Sequence, residues 1–347
     1  MTKQVKIGNV TIGGGNPVTV QSMTNTDTRD VSATLTQIHT LADAGADLVR
    51  VSIYDDECVC AARKIVDGSP VPLIADVHFK AELAIGAIEN GFQKLRINPG
   101  NIGSIADIKR VASCAKSHGV PIRVGVNSGS LARELLKKHG APTPAALAES
   151  VMLSAKILED VGFYDIVIAV KTSRVSDTVL AYREVYRLTD YPLHIGLTEA
   201  GLPEEGFDKS AVALGSLLVD GIGDTIRVSL SGDPVNEIGA AKRILRASGV
   251  LFDRPDIIAC PTCGRACIDV ADVARQVREA LKDCTRPIRV AVMGCVVNGP
   301  GEAREADIGI SGAPNGAALF VKGGTPQAIK GEPIEALLAK MRELNYI

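Results

Sequence analysis

The sequence predicts an α/β fold, a (β/α)8 TIM barrel that is followed by a second, smaller α+β domain. Between residues 18 and 250, short β-branched runs alternate with amphipathic stretches eight times, and this alternation stops after residue 250. Most of the predicted strands are apolar without clean alternation, which is typical of parallel strands buried on both faces. Eight strand–helix units in about 230 residues match the size of such a barrel.

The barrel strands are predicted from runs rich in Val and Ile that end at polar residues. They lie at residues 18–23, 47–53, 72–77, 94–98, 122–127, 165–171, 193–198 and 225–231. Helices are predicted between them where apolar residues recur at helical spacing, most clearly at 33–44, 80–90, 106–118, 144–161 and 235–247. A short hairpin, with strands at 5–7 and 10–12, precedes the barrel. The alternative is an open doubly wound sheet, but no predicted strand is followed by the Gly-x-Gly-x-x-Gly turn of a dinucleotide-binding site.

The smaller domain is predicted from a different pattern. A cysteine-rich turn at 257–267 precedes a helix at 270–281, and strands are predicted at 288–297, 308–310 and 318–321. We therefore expect a substrate-binding barrel domain over residues 1–250 and a metal-binding domain over residues 256–347, joined by a short junction.

The composition excludes several classes of protein. The 347 residues carry a formal net charge of −2 and 3% aromatic residues, so neither a basic field nor stacking platforms for nucleic acid are expected. No apolar run approaches the roughly 20 residues of a membrane span. The polar start, Met1 to Gln4, lacks the apolar core of a signal peptide. We expect a cytoplasmic protein, in which clustered thiols indicate metal or redox chemistry rather than disulfides.

Polar residues are concentrated near the carboxyl ends of the predicted strands, where a barrel of this kind places its chemistry. Four arginines and a lysine would converge there and repel one another unless a multiply charged anion lay among them. A phosphate or diphosphate is the natural ligand, and ordinary ion pairs at the barrel rim are the alternative. The residues at these strand ends include Arg50, Asp76, His78, Arg96, Asn98, Arg123, Asn127, Lys171, His194, Arg227 and Ser229.

Glu199 follows the seventh predicted strand in Thr198-Glu199-Ala200-Gly201. A lone carboxylate in a basic pocket is suited to donate or accept a proton. The alternative is a salt bridge to a neighbouring arginine.

The cysteines of the smaller domain suggest a metal. Cys260 and Cys263 form a Cys-x-x-Cys turn, and Cys295 precedes a glycine-rich loop in which Glu302 offers an oxygen ligand. Such a set suits an iron–sulfur cluster or a structural zinc. The number of cysteine ligands stays open because of Cys267. It either forms a local set of three thiolates with Cys260 and Cys263 or is buried as a small apolar residue.

Taken together, these motifs resemble the bacterial 4-hydroxy-3-methylbut-2-enyl diphosphate synthase family along essentially the whole chain. The resemblance rests on Val20-Gln21-Ser22-Met23-Thr24-Asn25-Thr26, Leu95-Arg96-Ile97-Asn98-Pro99-Gly100-Asn101, Arg123-Val124-Gly125-Val126-Asn127-Ser128-Gly129-Ser130, Leu193-His194-Ile195-Gly196-Leu197-Thr198-Glu199-Ala200-Gly201, Ile226-Arg227-Val228-Ser229, Cys260-Pro261-Thr262-Cys263-Gly264-Arg265 and the loop from Cys295 to Glu302.

The resemblance implies an oxidoreductase with a [4Fe-4S] cluster held by Cys260, Cys263, Cys295 and Glu302. It implies that 2-C-methyl-D-erythritol 2,4-cyclodiphosphate is opened and reduced by two electrons, with loss of water. By similarity, Glu199 acts near the reacting carbons. The residues that would bind the substrate are Arg50, Arg96, Asn98, Arg123, Asn127, Lys171, Arg227, Ser229 and Asn298.

Two partners are also expected. No nicotinamide or flavin motif is present and such a cluster passes single electrons, so reduced ferredoxin or flavodoxin is implied. The short junction after the eighth barrel helix predicts a head-to-tail homodimer in which each cluster domain caps the partner's barrel.

Two other functions fit parts of the sequence. A phosphate-handling aldolase or synthase with a structural zinc domain would use Lys171 for a Schiff base. A redox-sensing binding protein would hold the cluster without turning over substrate.

Overall fold

The structure, a computed structural model, describes residues 1–98, 101–295 and 303–347. The chain divides into two compact units, Met1–Val250 and Leu251–Ile347. Among the described residues, no helix is long and apolar enough to cross a membrane.

The first unit is a barrel of parallel strands. Its strands are β3 (Thr19–Met23), β4 (Leu48–Ile53), β5 (Leu73–Val77), β6 (Lys94–Ile97), β7 (Ile122–Asn127), β8 (Ile166–Lys171), β9 (His194–Ile195) and β10 (Thr225–Ile226). They pair in the order β8-β7-β6-β5-β4-β3-β10-β9, and a parallel bridge between Ile168 and Leu193 closes the ring. The predicted fold class is therefore confirmed, and the alternative of an open sheet is wrong.

Every barrel strand is followed by helix, as right-handed βα units require. The helices are α1 (Val31–Asp43), α2 (Asp56–Gly68), α3 (Ala81–Glu89), α4 (Ile105–His118), α5 (Arg133–His139), α6 (Pro144–Glu159), α7 (Val175–Leu188), α8 (Pro203–Val219) and α9 (Val235–Ala247). Several begin at strong capping signals. Asp30 and Asp55 accept backbone N–H groups at the starts of α1 and α2, and Ser104 forms a capping box with Asp107.

The amino-terminal end of the barrel is closed by the predicted hairpin, whose strands are β1 (Val5–Ile7) and β2 (Val10–Ile12). Its buried side chains pack on Leu48, Ile74 and Val167, which lie near the starts of β4, β5 and β8. This apolar plug leaves the opposite end of the barrel for polar groups.

Two strands are shorter than the sequence predicts. β9 and β10 contain two residues each, whereas strands were expected over 193–198 and 225–231. Beyond them the backbone bonds to loops: Thr198 N donates to Thr172 O, and Ser231 N donates to Gly201 O. The polar ends of these two segments therefore belong to the loops at the carboxyl end of the barrel.

The second unit is a mixed sheet with helices. Its strands are β11 (Asp256–Ala259), β12 (Arg289–Met293), β13 (Ile308–Ala313), β14 (Gly316–Val321) and β15 (Gln327–Ala328), and its helices include α10 (Val270–Ala280) and α11 (Pro333–Glu343). β11, β12 and β13 are parallel neighbours, whereas β14 and β15 continue the sheet antiparallel. Val277 of α10 and Leu337 and Met341 of α11 belong to the apolar core of this unit.

Candidate active site

Six cationic side chains are gathered at the inner face and carboxyl end of the barrel. They come from five strands or the residues that follow them, because inward-facing positions alternate along each strand. They are Arg50 of β4, Lys94 and Arg96 of β6, Arg123 of β7, Lys171 of β8 and Arg227 directly after β10. We call this set the cation cluster. Lys94 is fully buried, and Arg123 is only 3% exposed.

Asp76 of β5 is the carboxylate at the centre of this cluster. Arg96 Nη1 lies 2.8 Å from Asp76 Oδ1, Arg50 Nε lies 3.5 Å from Oδ2, and His78 Nε2 lies 3.6 Å from Oδ1. Burial alone would raise the pKa of the Asp76 carboxyl, but the charges of Arg50 and Arg96 hold it below its usual value. Asp76 therefore stays ionised and binds two arginines at once.

Glu237, in the first turn of α9, is the second buried carboxylate. Both of its oxygens accept hydrogen bonds from Arg227, from Nε and Nη2 at 3.2 Å each. Ser22 Oγ and the Leu230 backbone N–H also donate to it. Glu237 thus fixes the Arg227 guanidinium at the carboxyl end of the barrel.

The described part of the cluster carries an excess of positive charge, because its four arginines outnumber the two carboxylates of Asp76 and Glu237. Burial, together with the charges of Arg227 and Arg96, lowers the pKa of Arg50 to about 10 even though Asp76 opposes the shift. Burial, Arg50 and Arg96 likewise lower the pKa of Arg123 well below its usual value. The ion pairs offered as an alternative are present, but they leave the cluster unbalanced. Its geometry suits a multiply charged anion.

Lys171 is held by the strand beside it. Its Nζ lies 3.3 Å from His194 Nε2, and His194 Nδ1 makes a short hydrogen bond with Thr225 Oγ1. Burial and the nearby Lys171 lower the pKa of His194 well below its usual value, so this histidine is neutral. A Cβ on Gly196 would lie 2.4 Å from Lys171 Nζ, so the absence of a side chain at Gly196 makes room for the lysine.

Glu199 lies in the loop after β9 and is exposed. Its φ of 54° is in the left-handed region, which is unfavourable for a residue with a side chain. No ion pair among the described residues includes Glu199, so the salt-bridge alternative finds no support there. Its carboxylate is accessible to a ligand at the carboxyl end of the barrel.

The remaining predicted substrate residues of the barrel lie at this same end. Asn98 follows β6, Asn127 ends β7 in register with Lys171 on β8, and Ser229 lies in the loop after β10. The Ser231 N–H bond to Gly201 O ties that loop to the one that carries Glu199. Asn298, predicted to reach the substrate, lies outside the described residues.

The cysteines of the second unit follow two neighbouring strands. Ala259 and Val292 pair in parallel register, so Cys260 and Cys295 leave the sheet at the same edge. The Gly294 N–H donates to Cys260 Sγ at 3.0 Å, which places the start of the Cys295 loop against the Cys-x-x-Cys turn. Cys263 is exposed and Cys295 is buried.

Close backbone packing supports this edge. A Cβ on Gly312 would lie 2.2 Å from Gly294 O and 3.2 Å from Cys267 Cβ. Cys267 N–H donates to Gly294 O at 2.7 Å. Among the described residues, no three His, Cys, Asp or Glu side chains are arranged as ligands of a metal ion, and Glu302 lies outside those residues.

Sequence reasoning missed three groups of the barrel site. Asp76 was noted at a strand end but not as the acceptor shared by two arginines. Lys94 stands at the start of a strand, where the sequence carries no signal of its burial beside Arg123 and Arg50. Glu237 lies in a helix, and only the three-dimensional contact with Arg227 reveals it.

Comparison with known proteins agrees with the motifs. The family model described as "GcpE TIM-barrel domain" matches residues 2–242, and "GcpE protein C-terminal domain" matches residues 256–343. A protein of Caldanaerobacter subterraneus subsp. tengcongensis named "4-hydroxy-3-methylbut-2-en-1-yl diphosphate synthase (flavodoxin)" is 51% identical over 99% of this chain and 97% of its own length. A protein of the same name from Clostridium perfringens is also 51% identical, over 99% of this chain and 98% of its own length.

A solved structure shows the fold alone. The dihydropteroate synthase of Yersinia pestis matches with a TM-score of 0.53 and 14% identity, over 72% of this chain and all of that one. The resemblance drawn from the motifs is confirmed by the family matches and the relatives: the chain belongs to the GcpE family.

Proposed function

We propose that the chain catalyses the reductive ring opening of 2-C-methyl-D-erythritol 2,4-cyclodiphosphate to (E)-4-hydroxy-3-methylbut-2-enyl diphosphate, an oxidoreductase step in isoprenoid precursor biosynthesis. The names of its relatives print the product of this reaction and flavodoxin. The observation that carries the proposal is the cation cluster, whose four arginines outnumber the two carboxylates of the described barrel and so favour a multiply charged anion such as a diphosphate.

The barrel residues bind and orient the substrate in this proposal. The diphosphate oxygens accept hydrogen bonds from guanidinium groups of the cluster, with Arg123 offering Nε and Nη1, which have no partner among the described residues. Opening the ring at the carbon–oxygen bond releases a phosphate oxyanion, and a preorganised set of cations stabilises that developing charge. The residues proposed to bind the substrate are Arg50, Arg96, Asn98, Arg123, Asn127, Lys171, Arg227, Ser229 and, from the second unit, Asn298.

Glu199 is the proposed catalytic residue. Its exposed carboxylate lies on a strained loop that is tied to the Ser229 loop by a backbone hydrogen bond. We propose that it holds or moves the proton that leaves with the lost hydroxyl group as water.

The second unit is proposed to hold a [4Fe-4S] cluster on Cys260, Cys263, Cys295 and Glu302. The donor set fits this group, since thiolates are the ligands of such clusters and the two cysteine segments leave one sheet edge in contact. When bound, the cluster supplies electrons to the substrate one at a time.

The electron donor is proposed to be reduced flavodoxin, which the names of the relatives print, with ferredoxin as the alternative. A cytoplasmic location and a head-to-tail homodimer, in which each cluster domain caps the partner's barrel, complete the proposal. Sedimentation of the active enzyme as a monomer would contradict the dimer.

The experiment that tests the proposal is anaerobic purification followed by iron, sulfide and zinc analysis and a visible absorption spectrum. We expect about four irons and four sulfides per chain in the wild type and their loss in Cys295→Ser, together with turnover of the cyclodiphosphate by a low-potential donor. One zinc in a colourless protein would exclude the reductive reaction and favour a structural metal domain.

A further inference from the structure

Lys94 is a member of the cation cluster, but it is not among the residues proposed to bind the substrate. It is the first residue of β6 and is 0% exposed, and its Nζ has no hydrogen-bond partner among the described residues. Arg96, two positions further along the strand, contacts Asp76 on the inner face, and Lys94 therefore faces the interior as well. A buried ammonium without an acceptor is unfavourable, so this side chain must either lose its proton or find an anion.

Lys94 has apolar neighbours on one side and charged neighbours on the other. Its register partner Ile74 belongs to the apolar plug formed with the hairpin, so the amino-terminal side is closed by hydrocarbon. On the other side lie Arg123 and Arg50, and burial together with these two charges lowers the pKa of Lys94 well below its usual value. The lysine thus lies between the plug and the cation cluster.

Other buried polar atoms around this interior also lack partners among the described residues. Both polar atoms of the Gln21 side chain on β3 are unpartnered, as are Nε and Nη1 of Arg123 on β7 and Oγ1 of Thr19. Lys94 is therefore one of several buried donors, on β3, β6 and β7, that have no partner in the described barrel. The charged and titratable groups around it are Arg50 on β4, Asp76 on β5, Arg96 on β6, Arg123 on β7, Lys171 on β8, His194 on β9, Arg227 after β10 and Glu237 on α9.

We propose that Lys94 is an additional anion-binding residue at the floor of the cation cluster, and that it takes up a proton from solvent when an anion enters the barrel. The natural ligand is the diphosphate of the proposed substrate, so this inference rests on the proposed function. In the empty barrel the neutral amine is favoured, because Arg50 and Arg123 repel an ammonium. An anion reverses that repulsion and favours the charged form. Binding and protonation are then linked, and affinity falls as pH rises.

The test uses the full-length protein with sulfate, whose charge is constant near neutral pH, and with the cyclodiphosphate. Calorimetry at pH 8 in two buffers of different ionisation enthalpy gives the number of protons taken up on binding. We expect the wild type to take up about one proton more than Lys94→Met, and sulfate to bind Lys94→Met roughly tenfold more weakly. Lys94→Arg keeps its charge at every pH, so it should bind sulfate without the additional proton.

Lys6→Met, on the exposed face of β1, is the matched control and should behave as the wild type. Circular dichroism and thermal unfolding verify that each variant is folded. If Lys94→Met does not fold, the proton uptake of the wild type is compared with that of Lys94→Arg instead. Equal proton uptake by the wild type and the Lys94 variants would overturn this inference and leave the proposed function standing. A wild type that binds neither ligand would show that the cluster is no anion site, and both proposals would fall.

Discussion

Arg96 Nη1 donates a hydrogen bond to Asp76 Oδ1 over 2.8 Å, between side chains that are 12% and 9% exposed. The same carboxylate has Arg50 at 3.5 Å from its other oxygen. One acidic residue therefore holds two of the arginines that the sequence assigns to the substrate. The anion site is preorganised by Asp76 before any ligand arrives.

Asp76→Asn is expected to destabilise the protein by about 3 kcal/mol, because it leaves two buried guanidinium groups facing Arg123 without their carboxylate. Urea unfolding measures the loss, and added sulfate should restore part of it. Asp67→Asn is the matched control, since its pair with Arg63 is exposed and should contribute less than about 1 kcal/mol. Equal losses in the two variants would contradict the central role of Asp76.

The effect of Asp76 should depend on pH in a defined direction. Its pKa is lowered in the folded protein, so the unfolded chain binds the proton more tightly and the stabilisation is present above about pH 4. As the pH falls through the pKa of the folded state, the advantage of the wild type over Asp76→Asn should shrink. A stability difference that grows with acidification would argue against this assignment.

Gly196→Ala is expected to displace the Lys171 ammonium, because the new Cβ would lie 2.4 Å from Nζ and 2.8 Å from the backbone oxygen of Arg227. The second contact is with backbone, which moves less readily than a side chain. We predict at least a tenfold rise in KM for the cyclodiphosphate and a lower melting temperature. Gly239→Ala in α9 meets nothing within 4 Å and should be neutral or stabilising by up to about 1 kcal/mol.

Glu199→Gly should separate stability from activity. A glycine adopts the φ of 54° without strain, so unfolding should require up to about 1 kcal/mol more, while turnover falls at least a hundredfold with the loss of the carboxylate. Glu199→Gln keeps the Cβ and therefore the strain, so it should lose activity with the stability of the wild type. Full activity in either variant would remove Glu199 from the proposed mechanism.

Cys267→Ser and Cys263→Ser should differ in their iron content. Both thiols are exposed, and both lie in the segment beside Gly294. The proposed ligand set contains Cys263 and omits Cys267, so Cys267→Ser should retain about four irons per chain and Cys263→Ser should lose them. The reverse result, measured by iron and sulfide analysis after anaerobic purification, would reassign the ligands.

The barrel was predictable because its signal is repeated eight times, so no single strand or helix decides it. The lengths of β9 and β10 were not, since the segments after Ile195 and Ile226 contain apolar residues but the backbone N–H groups of Thr198 and Ser231 donate to loops. The local sequence indicates that these two segments are buried, but it does not indicate which residues accept their backbone hydrogen bonds.

The cationic side of the anion site was also predictable, because Arg50, Arg96 and Arg123 lie on three of the predicted barrel strands. The carboxylates that hold them were harder to assign. Glu237 is an ordinary acidic residue in the first turn of a helix, and its partner Arg227 is ten residues away. The role of Glu237 depends on how α9 packs against the barrel, and the spacing of apolar residues along the sequence does not predict that packing.

The hairpin that plugs the barrel has a consequence for the order in which the protein is assembled. Val5, Ile7 and Ile12 are synthesised well before β8, but their packing surface includes Val167 of that strand. The hairpin therefore waits for more than 150 further residues to be synthesised before its packing surface is complete. Until β8 has been synthesised, the apolar side chains of the hairpin remain available to chaperones. The apolar plug next to Lys94 is therefore among the last parts of the barrel to form.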